Sequence, residues 1–174
     1  ESESTRSLGG LETTIKKQLE SVAGQFREEK DLRADADKEL ERAIKVDGMK
    51  GVMIRASHQH KYPDADEAKS FFKLCTDLDV PVVIHPPPVG FGEEAMSDYR
   101  LASSVGRPQD NCLALARLIV RGIFEQFPTL RVAIIETGGG WLPLALDRLD
   151  THYIMSPGHV PNLKRLPREV LAEG

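Results

Sequence analysis

Residues Pro81 to His85 read Pro-Val-Val-Ile-His and run straight into Pro86, Pro87 and Pro88. No other stretch limits the fold so tightly. Three β-branched residues in succession favour extended backbone. The absence of polar alternation is what a strand covered on both faces of a parallel sheet shows. The prolines lack the N–H that a continuing ladder needs, so the strand stops there. Two further runs share this character: Lys50-Gly51-Val52-Met53-Ile54 after the turn at Gly48, and Leu130 to Glu136 after Pro128. Helical spacing lies between them. Asp64 to Asp77 carries Ala68, Phe71, Phe72, Leu74 and Cys75 on one face, and a long helix from Asp110, its cap, to about Phe127 is apolar at Cys112, Leu115, Ala116, Ile119 and Ile123. A third helix is expected from Trp141 to Asp150. Strand and helix in this rhythm predict an α/β fold with a parallel sheet and crossover helices.

The flanks are less constrained. Residues 1–10 are polar and read as a loose terminus. Leu11, Ile15 and Leu19 have helical spacing, Ser21 to Phe26 forms a weak strand pattern, and the charged stretch to Lys45 reads as a surface helix starting near Asp35. After Ile154, Pro157, Gly158, Pro161 and Pro167 suggest a loop that leads away from the chain. A length of 174 residues is that of one domain. A first residue Glu1, in place of methionine, is what a processed product or a fragment would show. With 40% hydrophobic residues but only 6% aromatic, aliphatic side chains must fill the core. The net charge of −4 gives no general attraction for nucleic acid. No run approaches the roughly 18 apolar residues of a membrane span, and no signal-peptide pattern opens the chain. Cys75 and Cys112 sit inside apolar helical patterns, as buried thiols of a reducing cytoplasm do.

Parallel α/β proteins bind ligands at the carboxyl ends of their strands. The polar residues that end the apolar runs are therefore the informative ones: Arg55 to His58 after Ile54, His85 after Ile84, and Glu136 after Ile135. A neutral imidazole at position 85, on backbone stiffened by prolines, is a natural metal ligand, although neighbouring backbone satisfies many strand-end histidines. Glu136 leaves a run of Val, Ala and Ile and needs a partner, because an unpaired buried charge is costly. A metal, an arginine or a proton would each serve, and a plain salt bridge would too. Gly138-Gly139-Gly140 before a helix frees amides for a carboxylate, or simply makes a tight turn. His58 and His60 lie in a polar loop, where a substrate-facing role competes with simple solvation. Arg100 and Arg107, in the long loop after His85, are placed to neutralise an anion. Trp141, opening the helix behind the glycines, joins the candidate substrate contacts. His152 and His159 have no supporting spacing.

Gly48 to Val52, Asp79 to Pro87, Tyr99-Arg100-Leu101 with Val105 to Pro108, Gly122 to Arg131, and Gly138 to Pro143 followed by Arg148-Leu149-Asp150 form a set of segments in a fixed order. Taken together they resemble the amidohydrolase-related family that includes aminocarboxymuconate-semialdehyde decarboxylase and related aromatic-acid decarboxylases. The resemblance implies a (β/α)8 TIM barrel with a divalent metal at its carboxyl face, usually zinc, with manganese as a second possibility. It also implies ligands from a first-strand His-x-His, a fifth-strand histidine and an eighth-strand aspartate. His85 matches the fifth-strand ligand. Glu136 stands where the family commonly has a sixth-strand histidine. His58 and His60 follow the wrong strand to be the first-strand pair, and the eighth-strand aspartate has no match.

A complete barrel needs about 250 residues, so the expectation is a partial (β/α)8 barrel, about strands three to six, in a single incomplete domain. The implied activity is metal-dependent decarboxylation of a carboxylated aromatic or unsaturated acid. Alternatives are hydrolysis of a small amide, ester or lactone, or a non-catalytic barrel piece. In the enzyme reading His85 holds metal, Glu136 moves a proton, and Arg55, His58, Arg100, Arg107 and Trp141 contact a small anionic substrate. One histidine and one carboxylate are fewer than the three protein ligands of a catalytic zinc, and an unclosed sheet leaves unpaired edges. A homo-oligomer or a complementary barrel segment is therefore expected as partner.

Overall fold

The computed structural model describes residues 16–18, 20, 33–58, 61–87, 96 and 98–172. The chain divides into two compact units, residues 1–46 and 47–174. In the first, residues 33–45 form a helix (α1) that shows mostly polar surface and carries i,i+3 and i,i+4 ion pairs such as Arg42–Glu39 at 2.7 Å. This is the expected surface helix. The strand anticipated over Ser21 to Phe26 lies outside the described residues, as does His60.

The second unit is built on three parallel strands, β1 (Val52–Arg55), β2 (Val82–His85) and β3 (Val132–Ile134), in the order β1-β2-β3. Val52, Val82 and Val132 are in register, as are Ile54, Ile84 and Ile134. Those rows pack towards the helices, and Val82 and Ile84 are fully buried. The intervening row of Met53, Val83 and Ala133 points the other way, and Met53 is 64% exposed. The unbroken apolar run on β2 predicted cover on both faces, but among the described residues helices cover only one. On the other face Met53 and Ala133 are exposed, and this is the face that points inward when such a sheet closes into a barrel.

The helices follow the apolar spacing, with shifted ends. A 3₁₀ turn (Asp66–Ala68) leads into α2 (Lys69–Asp77), which buries Phe72 and Cys75. A π-helical turn (Ala102–Gly106) runs directly into α3 (Arg107–Val120), so the loop after the prolines is partly helical. The helix expected as one piece from Asp110 to Phe127 is two, α3 and α4 (Ile123–Gln126). Gly122 divides them with φ +71°, and a Cβ there would lie 2.9 Å from Asn162. α5 spans Leu142–Met155, longer than expected, and the segment beyond it does not lead away. It forms a 3₁₀ turn (Pro157–His159) and α6 (Pro167–Ala172), and Val160, Leu163 and Val170 pack with Leu115 and Ile119 of α3. Its prolines sit at turn and helix starts, where the missing N–H is harmless. Asp150 of α5, almost fully buried, ties α6 down by accepting from Arg168 N at 3.0 Å and from the Arg168 guanidinium. Cys75 is buried, Cys112 is half-buried with its thiol pushed up by burial, and the two are not joined.

Candidate active site at the strand ends

β2 delivers His85 as its last residue, in register with Arg55 at the end of β1. Side chains alternate along a strand, so both project to the open face with Met53 and Val83. A cleft of about 340 Å³ lies there, lined by Met53, Ile54, Arg55, His85, Pro86 and Arg107. Glu136 lies two residues past the end of β3, beyond the ladder bond from Ile135 N to Ile84 O (3.1 Å). Its backbone is left-handed, φ +61°, an uncommon and strained conformation for a residue with a Cβ. Glu136 Oε2 lies 3.2 Å from His85 Nε2, with the imidazole one-third exposed and the carboxylate about half exposed. The two groups singled out in the sequence do meet.

The hydrogen bonding of the imidazole fixes its protonation pattern. His85 Nδ1 lies 2.6 Å from the carbonyl oxygen of Pro86, which can only accept, so Nδ1 carries a proton. In the neutral ring Nε2 then presents a lone pair to a carboxylate that also presents lone pairs. A 3.2 Å approach between them calls for a shared proton or a cation. An Nδ1–H held by a backbone carbonyl is also the usual support of a metal-ligating histidine. The donor set of imidazole nitrogen plus carboxylate oxygen suits a borderline or hard divalent ion. Among the described residues, no group of three or more His, Cys, Asp or Glu side chains could hold a metal ion. The two donors present fit such an ion and would supply part of a coordination shell.

The other candidates separate. Arg107, the first residue of α3, lines the cleft with Arg55. His58 is exposed, with its backbone bridged to that of Lys61. Arg100 is exposed, ends a 3₁₀ turn (Asp98–Arg100) and has φ +58°. Neither lines the cleft. Trp141 donates from Nε1 to Gly138 O at 3.0 Å and packs on the α3–α6 cluster, so its indole is already engaged. Of the three glycines only Gly138 has positive φ, +59°.

Asp110 is not a cap: α3 begins three residues earlier, and no side chain caps it. The carboxylate is fully buried and accepts from Ser57 Oγ and from Tyr62 OH, each at 2.6 Å. Asp64, buried, accepts from Arg117 Nε at 2.6 Å, and that guanidinium also lies over the Tyr62 ring. The loop after β1 is thus tied along α3. The sequence carried one signal of this, an Asp-Asn pair on an otherwise apolar helix face, and helix-start chemistry explained it too easily.

Residues 28–172 match the family described as amidohydrolase. The chain belongs to the amidohydrolase family. It is 32% identical over 119 residues to 2-amino-3-carboxymuconate-6-semialdehyde decarboxylase of Dictyostelium discoideum, covering 68% of this chain and 33% of that protein. It is 27% identical over 124 residues to gamma-resorcylate decarboxylase of Polaromonas, covering 66% and 38%. The chain spans about a third of the length of these relatives. Among solved structures, 5-carboxyvanillate decarboxylase of Sphingomonas paucimobilis superposes with a TM-score of 0.70 at 24% identity, over 79% of this chain and 42% of that one. A dihydroxybenzoic acid decarboxylase of Polaromonas, solved with bound manganese and 2-nitroresorcinol, gives 0.67 at 23% identity over 80% and 45%. At such identity the likeness concerns fold. The three parallel strands and their helices are a partial amidohydrolase barrel. No described helix is long and apolar enough to cross a membrane.

Proposed function

We propose that the chain forms part of the active face of a metal-dependent amidohydrolase-family enzyme that decarboxylates an aromatic or unsaturated acid. The contact between His85 Nε2 and Glu136 Oε2, 3.2 Å apart on the rims of adjacent parallel strands, carries this reading. The names of the relatives support it, since those proteins are decarboxylases of carboxylated, mostly aromatic compounds. A divalent ion, zinc or manganese, would be held by His85 beside the Glu136 carboxylate and would supply charge neutralisation for an anionic substrate.

The chain's own residues then divide the work. Arg55 and Arg107 place two guanidinium groups at the cleft to bind the substrate carboxylate and other anionic oxygens. His58, Arg100 and Trp141, which do not line the cleft, are secondary candidate contacts. Decarboxylation needs a proton delivered to the carbon that bears the carboxylate. The carbon–carbon bond then breaks, its electron pair returns to the ring or alkene, and carbon dioxide leaves. Glu136, facing His85 and half open to solvent, is the group positioned to hold that proton and pass it on.

The purified chain, loaded with zinc or manganese and given a hydroxylated benzoic acid, tests the proposal by carbon dioxide release. His85→Ala should abolish both metal retention and release, and Glu136→Gln should retain substrate binding with at least a ~10-fold loss of rate. Release that survives His85→Ala would overturn it. One observation favours a second reading, a barrel segment that is inactive alone: only two donors converge among the described residues. In that case the remaining ligands come from a complementary segment or a second copy, and activity appears only when that partner is added.

A further inference from the structure

Glu136 meets His85 from a left-handed backbone, and the helix beside it holds the peptide that precedes this turn. Asn111 of α3 is fully buried and donates from Nδ2 to the carbonyl oxygen of Ile135, 3.0 Å away. That carbonyl belongs to the peptide joining Ile135 to Glu136. The N–H of Ile135 is fixed as well, by Ile84 O at 3.1 Å. Both polar groups of the residue before Glu136 are therefore anchored, which fixes the peptide plane from which the chain turns into φ +61° at Glu136.

The other end of the amide shows what it is there for. Asn111 Oδ1 is buried without a hydrogen-bond partner. An apolar side chain of the same volume would avoid that cost, so the amide is retained for its donor. Turning it over would set Oδ1 against the Ile135 carbonyl, two acceptors face to face, so the orientation is fixed. We propose that Asn111 is a positioning residue: its clamp on the Ile135 carbonyl sets the Glu136 carboxylate against His85. The inference rests on the His85–Glu136 pairing that also carries the proposed function.

Histidine-ring nitrogen and carbon-bound proton resonances of the metal-free chain, recorded at one fixed pH, test it. Glu136→Ala defines the signal of His85 without its carboxylate. Asn111→Ala and Asn111→Leu, the latter keeping the number and branching of heavy atoms, should move the His85 resonances most of the way to that position. Leu118→Ala, which empties a fully buried site on the same helix, should leave them where they are. If Glu136→Ala moves the His85 signals and neither Asn111 variant does, the positioning role is wrong and the pairing stands. If Glu136→Ala itself leaves them unmoved, the pairing fails, and the proposed function loses its support with it. Leu118→Ala moving them as far as the Asn111 variants would reduce Asn111 to a general packing residue.

Discussion

Tyr62 and Asp110 show how much of this molecule is decided by single polar groups. The phenol hydroxyl donates to a fully buried carboxylate. Burial, and then the hydrogen bond and negative charge of Asp110, push the Tyr62 phenol well above its ordinary value, with Arg117 opposing. The sign of the pH dependence follows. Unfolded tyrosine releases its proton near pH ~10 while the folded phenol keeps it, so this group's contribution is complete below that value and is lost as pH rises beyond it. Tyr62→Phe should lower stability by about 1–3 kcal/mol at neutral pH. It should also flatten the fall in stability above pH ~10, as followed by urea unfolding across pH. An unchanged alkaline slope would show that the phenol is not the group responsible. His85 and Glu136 were legible from sequence because each ends an apolar run, where a polar side chain must be explained. Asp110, Asn111, Tyr62 and Asp64 were not, because their partners lie more than twenty residues away in sequence.

At the scale of elements, the pattern of apolar residues set which segments become strands and helices, and backbone geometry set where they stop. Gly122 combines φ +71° with a close approach to Asn162, whereas Gly138 has φ +59° in open space. Gly138→Ala should therefore cost only the left-handed penalty, about 1–2 kcal/mol. Gly122→Ala should cost more, since Asn162 must also move, and paired denaturant curves would rank them. Equal costs would show that the 2.9 Å approach relaxes freely. The docking of α6 escaped the sequence because proline-rich spacing reads as loop, while the tie that holds it is a buried carboxylate on another helix. Asp150→Ala should release residues 167–172 to fast amide exchange and leave the strands protected. Retained protection there would assign the docking to Val170 and Leu163 alone.

Across the whole molecule, the described helices finish one face of the sheet. The continuous apolar run of β2 was legible, but one strand cannot reveal that the described residues leave Met53 and Ala133 exposed on the other side. Replacing Met53 by lysine should change stability by less than about 0.5 kcal/mol, as for an exposed position, while Ile84→Lys on the packed face should prevent folding. A large loss from Met53→Lys in thermal unfolding would show that the face is covered in solution. The family, the parallel order and the meeting of two strand ends were readable because they depend on residues close in sequence to an apolar run. Whatever would complete the site was not, since closing a barrel draws on strands far apart in the chain. The central claim, that positions 85 and 136 serve one site, is tested most directly by a double-mutant cycle on manganese or zinc affinity by calorimetry. With His85→Ala, Glu136→Ala and both together, the account predicts a coupling of about 1 kcal/mol or more, each single variant losing nearly what the pair loses. Strictly additive losses, or affinity indifferent to either residue, would contradict it.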